Sequence, residues 1–190
     1  MNIKIGVIVS TTRPTRVGKY VAEWFIAEVP KRDGVSFELI DLKDVNLPFL
    51  SEPKSASSGE YEQASSKAWS DKIKGYDGFV IASAEYNNGI PAPLKNAIDT
   101  LYHEWNRKPV AFVGYGTYAA ARAIEQLVNV TAKVGMVPLP KTVVGIVNPW
   151  EAVSDDGQIN KDFVVGNMEG MVDNLLWWAR TVKNAQNLKY

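Results

Sequence analysis

Several residue types that commonly carry chemistry are missing or rare in this 190-residue chain. It contains no cysteine, which excludes disulfides, thiolate metal sites and cysteine nucleophiles and favours a reducing cytoplasm. Its single histidine, His103, lies on a predicted helix without neighbouring ligands, where a surface role is more common than catalysis. The sequence therefore predicts no metal site.

An excess of charge of either sign is also missing, because 21 Lys and Arg residues balance 21 Asp and Glu residues. No basic surface is available to hold nucleic acid, and no acidic surface to attract a cationic redox protein. The chain has no apolar segment of membrane length, and we expect no signal peptide. We expect one domain over residues 1–190, located in the cytoplasm, whose partners are small molecules rather than nucleic acid or membranes.

A strand, a polar loop and a helix are predicted between Phe79 and Trp105. The apolar run from Phe79 to Ala82 is typical of a buried parallel strand. Helical spacing then follows in four apolar residues, Leu94, Ile98, Leu101 and Trp105. The loop between them, Glu85 to Gly89, places an acid, an aromatic ring and two amides where open α/β sheets bind ligands. The alternative is a polar loop that only caps the next helix.

A second polar loop follows the β-branched run Ile3 to Val9, the predicted first and central strand. Residues 10–18 contain four hydroxyl groups and two arginines and lead into a helical pattern. Hydroxyls, arginine donors and the free amides of a helix start together favour phosphate binding. The glycine spacing fits neither a Walker loop nor a Gly-x-Gly-x-x-Gly turn, so a mononucleotide phosphate is indicated. In the alternative interpretation Thr15 is a helix N-cap and both arginines are solvated.

A third loop, Gly114 to Ala119, follows the predicted strand Pro109 to Val113. Its glycines resemble a dinucleotide-binding fingerprint, but the acidic residue expected about twenty residues later is missing. Residues 133–141 contain neither Asp nor Glu. The glycines instead favour close approach of the backbone to a flat ligand.

The alternation of strands and helices predicts an α/β fold, with one parallel sheet and helices on both faces. Residues 36–41 are the predicted edge strand and residues 136–147 the last strand. Helices are predicted over residues 61–74 and 122–134, and an amphipathic closing helix contains Phe163 to Ala179. We expect a flavodoxin-like three-layer fold with five strands in the order 2-1-3-4-5. This order brings the ends of strands 1, 3 and 4, with their unusual loops, to one switch point.

The loop motifs resemble those of the NADPH-dependent FMN reductases. Glu85-Tyr86-Asn87, then Gly89-Ile90-Pro91-Ala92, then Leu94-Lys95-Asn96-Ala97-Ile98-Asp99 is similar to the family signature Pro-Glu-Tyr-Asn … Pro … Leu-Lys-Asn-Ala … Asp, with Ala84 in place of the proline. Residues 10–16 resemble the family's Gly-Ser-Thr-Arg-Pro-Gly-Arg loop, with departures at Thr11 and Thr15. Tyr115-Gly116 match its Ser-Tyr-Gly-Gly loop, with departures at Gly114 and Thr117.

The resemblance implies an enzyme that binds FMN and takes a hydride from NADPH or NADH. The implied acceptor is a quinone, a free flavin, an azo compound or a metal oxyanion, reduced by a ping-pong mechanism. No catalytic side chain is expected, because the cofactor carries the chemistry. A homodimer or tetramer is also implied, with the helix bearing Tyr102 and Trp105 as a contact. The implied cofactor-binding residues are Ser10, Thr11, Arg13, Arg16, Val17, Gly18, Ala84, Glu85, Tyr86, Asn87, Tyr115 and Gly116.

Two other function classes share this topology. A flavodoxin-type electron carrier would not oxidise NAD(P)H itself, and it would gain from a surface of one charge sign that this chain lacks. A phosphorylated receiver domain would need acidic residues after strand 1 and an aspartate at the end of strand 3. The chain has Ser10-Thr11 and Ser83-Ala84-Glu85 at those places, which argues against a receiver.

The long loop over residues 46–59 carries a short apolar patch, Leu47-Pro48-Phe49-Leu50. Such a patch either packs on a partner or over a pocket, or consists of ordinary exposed apolar residues. The sequence leaves these alternatives open.

Overall fold

Seven strands form one sheet in the computed structural model, which describes residues 2 to 185. The strands are β1 (Ile3–Val9), β2 (Val35–Asp41), β3 (Gly78–Ala84), β4 (Pro109–Gly116), β5 (Val137–Pro138), β6 (Val144–Val147) and β7 (Val164–Val165). Their order is β2-β1-β3-β4-β6-β7, and β5 also pairs with β4. The pairings are parallel except the antiparallel one between β6 and β7.

Helices cover both faces of this sheet. They are α1 (Gly18–Glu28), α2 (Leu42–Val45), α3 (Ala64–Lys74), α4 (Ala92–Asp99), α5 (Ala121–Lys133), α6 (Pro149–Ala152) and α7 (Met168–Ala185). Single 3-10 turns occur at Ala56–Ser58, His103–Trp105 and Lys161–Phe163. α1 and α7 pack on one face, and α3, α4 and α5 pack on the other.

Alternate side chains of the central strands enter the two cores. In β3, Val80 and Ala82 face α1 and α7, whereas Phe79 and Ile81 face α3, α4 and α5. Because both faces of the strand are buried, it reads in sequence as an unbroken apolar run, as parallel strands do. The predicted α/β, flavodoxin-like fold and the order 2-1-3-4 are therefore confirmed.

The predicted count of five strands is wrong. The single last strand expected over residues 136–147 is divided into β5 and β6, which both pair with β4. Pro138 and Pro140 lie in this stretch, and proline cannot donate to a strand ladder. The short antiparallel β7 adds a further edge strand at the end of the sheet.

Helix boundaries also differ from the predictions. The helix expected to continue to Trp105 ends at Asp99, and a 3-10 turn then returns Trp105 to the core. Trp105 is buried, with its ring centroid 5.2 Å from that of Phe79 and its Nε1 donating to the Ile98 carbonyl at 3.1 Å. Trp105 itself is therefore not available to contact a partner subunit, and the expected contact through the segment that also bears Tyr102 stays a prediction.

Smaller boundary differences affect three other helices. α3 begins at Ala64 rather than residue 61, and α5 covers Ala121–Lys133 rather than residues 122–134. Phe163 and Val164, expected in the closing helix, lie in the 3-10 turn and in β7 instead. Their apolar side chains still pack against the core under α1 and α7. The apolar spacing of these residues therefore indicated that they are packed against the core, but not that they are helical.

Candidate active site

A cleft of about 280 Å³ lies at the carboxyl edge of the sheet, where β1, β3, β4 and β6 end. Four loops supply its lining, which consists of Thr11, Arg13, Thr15, Arg16, Val17, Ala84, Glu85, Tyr86, Tyr115, Gly116, Pro149 and Trp150. The three loops expected to converge at the switch point therefore do so. The fourth, which contributes Pro149 and Trp150, was not predicted.

Arg16 is the most constrained charged side chain of the cleft. Its guanidinium forms an ion pair with Asp41 at the end of β2, and 8% of the Arg16 side chain and 2% of the Asp41 side chain are exposed. Nη1 also donates to the Arg13 carbonyl at 3.3 Å. Nε is buried, and within the described part of the chain nothing accepts its hydrogen bond. A buried donor without a partner is costly, so Nε is a candidate donor to a bound anion.

The alternative interpretation of this loop is wrong on two points. Val17, not Thr15, is the N-cap residue of α1. Arg16 is buried rather than solvated, whereas Arg13 is exposed, as that interpretation expected. The loop therefore holds one fixed and one exposed guanidinium beside the start of α1.

Thr11 and Tyr115 join the first loop to the glycine loop. Their hydroxyl oxygens lie 3.0 Å apart, and Tyr115 is buried. Burial raises the pKa of Tyr115 to about 12, so its hydroxyl keeps its proton at neutral pH. A Cβ on Gly18 would overlap the Tyr115 hydroxyl and lie 2.7 Å from Thr11 Oγ1. Gly18 thus lets α1 start directly against both loops.

Ser10 lies beneath the cleft rather than in its lining. Its backbone N–H donates to the Ala82 carbonyl at 3.1 Å, and its Oγ accepts from the Ala84 N–H at 3.3 Å. Ser10 is fully buried. It therefore ties the end of β1 to the end of β3, and so fixes the spacing of the two loops.

Glu85 holds the start of α5. Its carboxylate accepts from the backbone N–H groups of Arg122 and Ala123 at 2.9 and 3.3 Å, and from Arg122 Nη1 at 3.0 Å. Ala120 precedes α5 and has no side-chain oxygen to cap it, so Glu85 does so from 37 residues away in the chain. The positive end of the helix dipole favours this charge. Its carboxylate is thus engaged with α5 and not with the open cleft.

A tight turn follows Glu85. The backbone groups of Tyr86 and Gly89 exchange two hydrogen bonds, and Asn87 and Asn88 between them have φ values of 51° and 63°. Asparagine tolerates this left-handed conformation better than most residues. Tyr86 lines the cleft, while Asn87 lies at the exposed tip of the turn, outside the lining.

The glycine loop carries strained backbone. Ala119 and Ala120 have φ values of 50° and 56°, a conformation that costs an alanine roughly 1–2 kcal/mol. The Ala119 carbonyl packs onto Gly114, where a Cβ would overlap it. Such strain persists only where the surrounding structure enforces it, and it clusters at functional sites. Gly114, which departs from the sequence signature, is thus required by packing.

Comparison with known proteins decides the family. Residues 3–151 match the family described as NADPH-dependent FMN reductase. The chain belongs to this family. An NAD(P)H-dependent FMN reductase of Schizosaccharomyces pombe is 38% identical over 174 residues, which cover 84% of this chain and 86% of that protein.

A further sequence relative and a solved structure extend the similarity. A 2-hydroxy-1,4-benzoquinone reductase of Burkholderia sp is 26% identical over 187 residues, covering 95% of this chain and 98% of that protein. The solved structure of FerB, a flavoenzyme NAD(P)H:(acceptor) oxidoreductase from Paracoccus denitrificans, superimposes with a TM-score of 0.64 at 24% identity. The superposition covers 94% of this chain and 98% of the FerB chain, and it supports the assigned fold.

Three residues that line the cleft, Thr15, Pro149 and Trp150, are absent from the predicted site, and Trp150 is the largest of them. It follows β6, and 62% of it is exposed although it lines the cleft. The backbone N–H of Asn148 donates to the Gly116 carbonyl at 3.1 Å, which places the two loops side by side. Applying the strand-end rule to the last strand as well would have found it.

The apolar patch of the FMN reductase lies beside a second cavity of about 310 Å³. Leu47 and Phe49 line this cavity together with residues of α2 and α4. Asn96 fixes the loop, because its side chain donates to the Pro48 carbonyl and accepts from the Leu50 N–H, both at 2.9 Å. Phe49 nevertheless remains 81% exposed. The patch thus both borders a pocket and stays open to solvent.

Neither a membrane span nor a metal cluster is found in the described residues of this FMN reductase. No helix between residues 2 and 185 has the length and apolar content to cross a bilayer. Over the same range, no group of three or more His, Cys, Asp and Glu side chains is placed to hold a metal ion.

Proposed function

We propose that this FMN reductase family member oxidises NADPH or NADH and reduces a small-molecule acceptor, which is a quinone, a free flavin, an azo compound or a metal oxyanion. The observation that supports this proposal best is the cleft at the switch point, in which Arg16 Nε, beside the start of α1, has no partner among the described residues. FMN held there would supply the redox chemistry, namely acceptance of a hydride from NAD(P)H and transfer of two electrons to the acceptor.

The first loop suits the phosphate of FMN. Arg16 Nε offers a buried N–H donor, and exposed Arg13 offers a free charge. The Thr11 hydroxyl and the first amides of α1, at Val17 and Gly18, complete an anion site of the kind found at helix starts. Ser10 acts from beneath by holding the loop against β3.

The other two loops suit the flavin ring. Ala84 and Tyr115 form the deep part of the cleft, and Gly116 and Tyr86 also line it. Glu85 contributes by fixing its own loop to α5, while Asn87 shapes the turn that carries Tyr86. No side chain is assigned to proton transfer or nucleophilic attack.

One cleft must serve both substrates, which supports a ping-pong mechanism. The nicotinamide and the acceptor would both reach FMN through this cleft, so one would have to leave before the other binds. Steady-state plots at several acceptor concentrations are then parallel lines.

We further propose that residues 1–190 form one cytoplasmic domain that assembles as a homodimer or tetramer. Exposed Phe49, fixed in place through Asn96 and α4, supports a partner contact at this surface. Light scattering of the purified protein, compared with Phe49→Ser, tests this assembly, and a wild-type monomer would contradict it.

Stopped-flow mixing under anaerobic conditions tests the activity. The FMN-loaded protein is mixed with NADPH or NADH, and then with a simple quinone. Rapid bleaching of the flavin followed by rapid recovery is expected. Reduction slower than any plausible turnover with both nicotinamides would instead indicate an electron carrier that needs a separate reductase.

A further inference from the structure

Trp150 occupies an unusual position in the cleft. Tyr115 and Ala84 are buried at its floor, whereas 62% of Trp150 is exposed at its rim. A tryptophan side chain gains more from burial than almost any other, so a rim ring that is left exposed is suited to a later ligand. The buried floor of the cleft therefore suits the cofactor, which binds first, and the exposed rim suits a ligand that binds after it.

The backbone beneath Trp150 is fixed. Asn148 is bonded to Gly116, and the Ala152 carbonyl accepts from the Asn160 N–H at 2.8 Å. Ala152 itself is buried in the core, and Pro149 restricts the first position of α6. The ring is thus carried on a rigid support and does not belong to a freely moving loop.

The polar edge of the indole is already occupied. Nε1, the single donor of the side chain, donates to the Glu151 carboxylate at 3.2 Å. What the ring has left to offer is its flat π surface. Such a surface binds other flat π systems by offset stacking, and it does little for a small inorganic ion.

Trp177 is a natural comparison within the same chain. It is 59% exposed on α7, and its ring packs edge-on against Trp178 with centroids 5.1 Å apart. It does not line the cleft. The two tryptophans are equally exposed, so exposure alone does not distinguish them, whereas position at the cleft does.

We propose that Trp150 is the specificity-determining wall of the acceptor subsite and that it selects planar aromatic acceptors of the quinone class. This rests on the proposed function and narrows its acceptor. The reaction balances when the donor's hydride supplies two electrons and one proton and solvent supplies the second proton, which converts the quinone to its hydroquinone.

The test compares Trp150→Ala and Trp150→Phe with Trp177→Ala. For each FMN-loaded protein, KM is measured for 1,4-naphthoquinone and for ferricyanide, a compact inorganic acceptor. Binding of 2-naphthol, which is planar and cannot be reduced here, is measured at equilibrium from the flavin absorption spectrum. The FMN dissociation constant of each apoprotein is measured by fluorescence titration.

Trp150→Ala is expected to raise the naphthoquinone KM and the naphthol dissociation constant about tenfold, the amount typical of one lost aromatic contact. Trp150→Phe keeps a ring and is expected to stay within about threefold of wild type. The ferricyanide KM and the FMN dissociation constant stay unchanged in both variants, and Trp177→Ala behaves as wild type.

Unchanged naphthol binding in Trp150→Ala would overturn the proposal. An equal loss of FMN affinity would overturn it too, because the ring would then hold the cofactor and not the acceptor. Failure of the proposed function has a different signature, since the wild-type apoprotein itself would take up no FMN or would not be reduced by either nicotinamide.

Discussion

The residues at the two ends of the parallel strands have different roles. We call these ends the amino edge and the carboxyl edge of the sheet. At the amino edge, the Asp77 carboxylate accepts from the Lys4 N–H at 2.9 Å and from Lys183 Nζ at 2.8 Å, and Lys183 also reaches the Asn2 carbonyl. Lys108 Nζ donates to the Ile73 carbonyl at the end of α3. Burial lowers the pKa of Lys108 to about 8, and its amine also donates to the Lys74 carbonyl at 3.4 Å. Polar groups at this edge serve the fold.

The carboxyl edge instead leaves groups unused and backbone strained. Arg16 Nε lacks a partner among the described residues, Trp150 is exposed, and Ala119 and Ala120 adopt left-handed conformations. A site that must bind a ligand cannot satisfy its own donors beforehand. Substitutions at the two edges should therefore have separable effects on stability and on FMN binding.

Gly114→Ala tests the strained edge with the largest expected effect. Its Cβ would overlap the Ala119 carbonyl, which belongs to the backbone and cannot rotate away. We expect a loss of about 3 kcal/mol in the free energy of unfolding, measured by urea denaturation. Gly75→Ala is the matched control, because its Cβ would lie 3.4 Å from the Lys72 carbonyl in ordinary contact. Equal stability of the two variants would show that the glycine loop is not tightly packed.

Arg13→Ala and Arg16→Ala test whether the carboxyl edge binds phosphate. Each is expected to weaken FMN binding by about 1.5–3 kcal/mol, the usual value of a charge-assisted hydrogen bond. Fluorescence titration of the apoproteins measures this. Arg180→Ala, on the exposed side of α7, is the control, since Arg122 is bonded to Glu85 and unsuitable. Identical dissociation constants for all three variants would refute the phosphate assignment.

Asp77→Ala tests the amino edge in the opposite way. Removing the acceptor of Lys4 and Lys183 is expected to lower the free energy of unfolding by about 2 kcal/mol. The FMN dissociation constant is expected to stay unchanged, because Asp77 lies at the far end of the strands. Asp71→Ala, an exposed position on α3, controls for loss of charge. A weakened FMN affinity in Asp77→Ala would disprove the separation of the two edges.

Ala119→Gly gives the smallest effect and the opposite sign. Glycine adopts a φ of 50° without strain, so we expect a gain of about 0.5 kcal/mol in the free energy of unfolding. The same change at Ala132, exposed in α5, is expected to cost about 1 kcal/mol. Destabilisation of both variants would mean that the left-handed conformation carries no strain.

The sequence was a good guide where a pattern is local. Apolar runs located β1, β3 and β4, and the strand-end rule brought Arg13, Tyr86 and Tyr115 to one cleft. It failed where the deciding contact is distant. Nothing near Glu85 indicates that it caps α5, and the partner of Arg16, Asp41, lies 25 residues away at the end of β2. Trp150 follows no periodic pattern, so only its position in the fold reveals it.

The ion pair of Arg16 with Asp41 divides the positive charge of the first loop into two roles. Asp41 cancels the charge of Arg16 as seen from a distance, which leaves Arg13 as the uncompensated cation of residues 10–18. An exposed charge attracts an anion over about 8 Å at physiological salt, and beyond that distance it is screened. Because Arg13 is the uncompensated charge, it governs how fast an anion is captured. Arg16 acts only at contact, through a directed N–H, and governs how long the anion stays. Added salt is therefore expected to slow association far more than it speeds release.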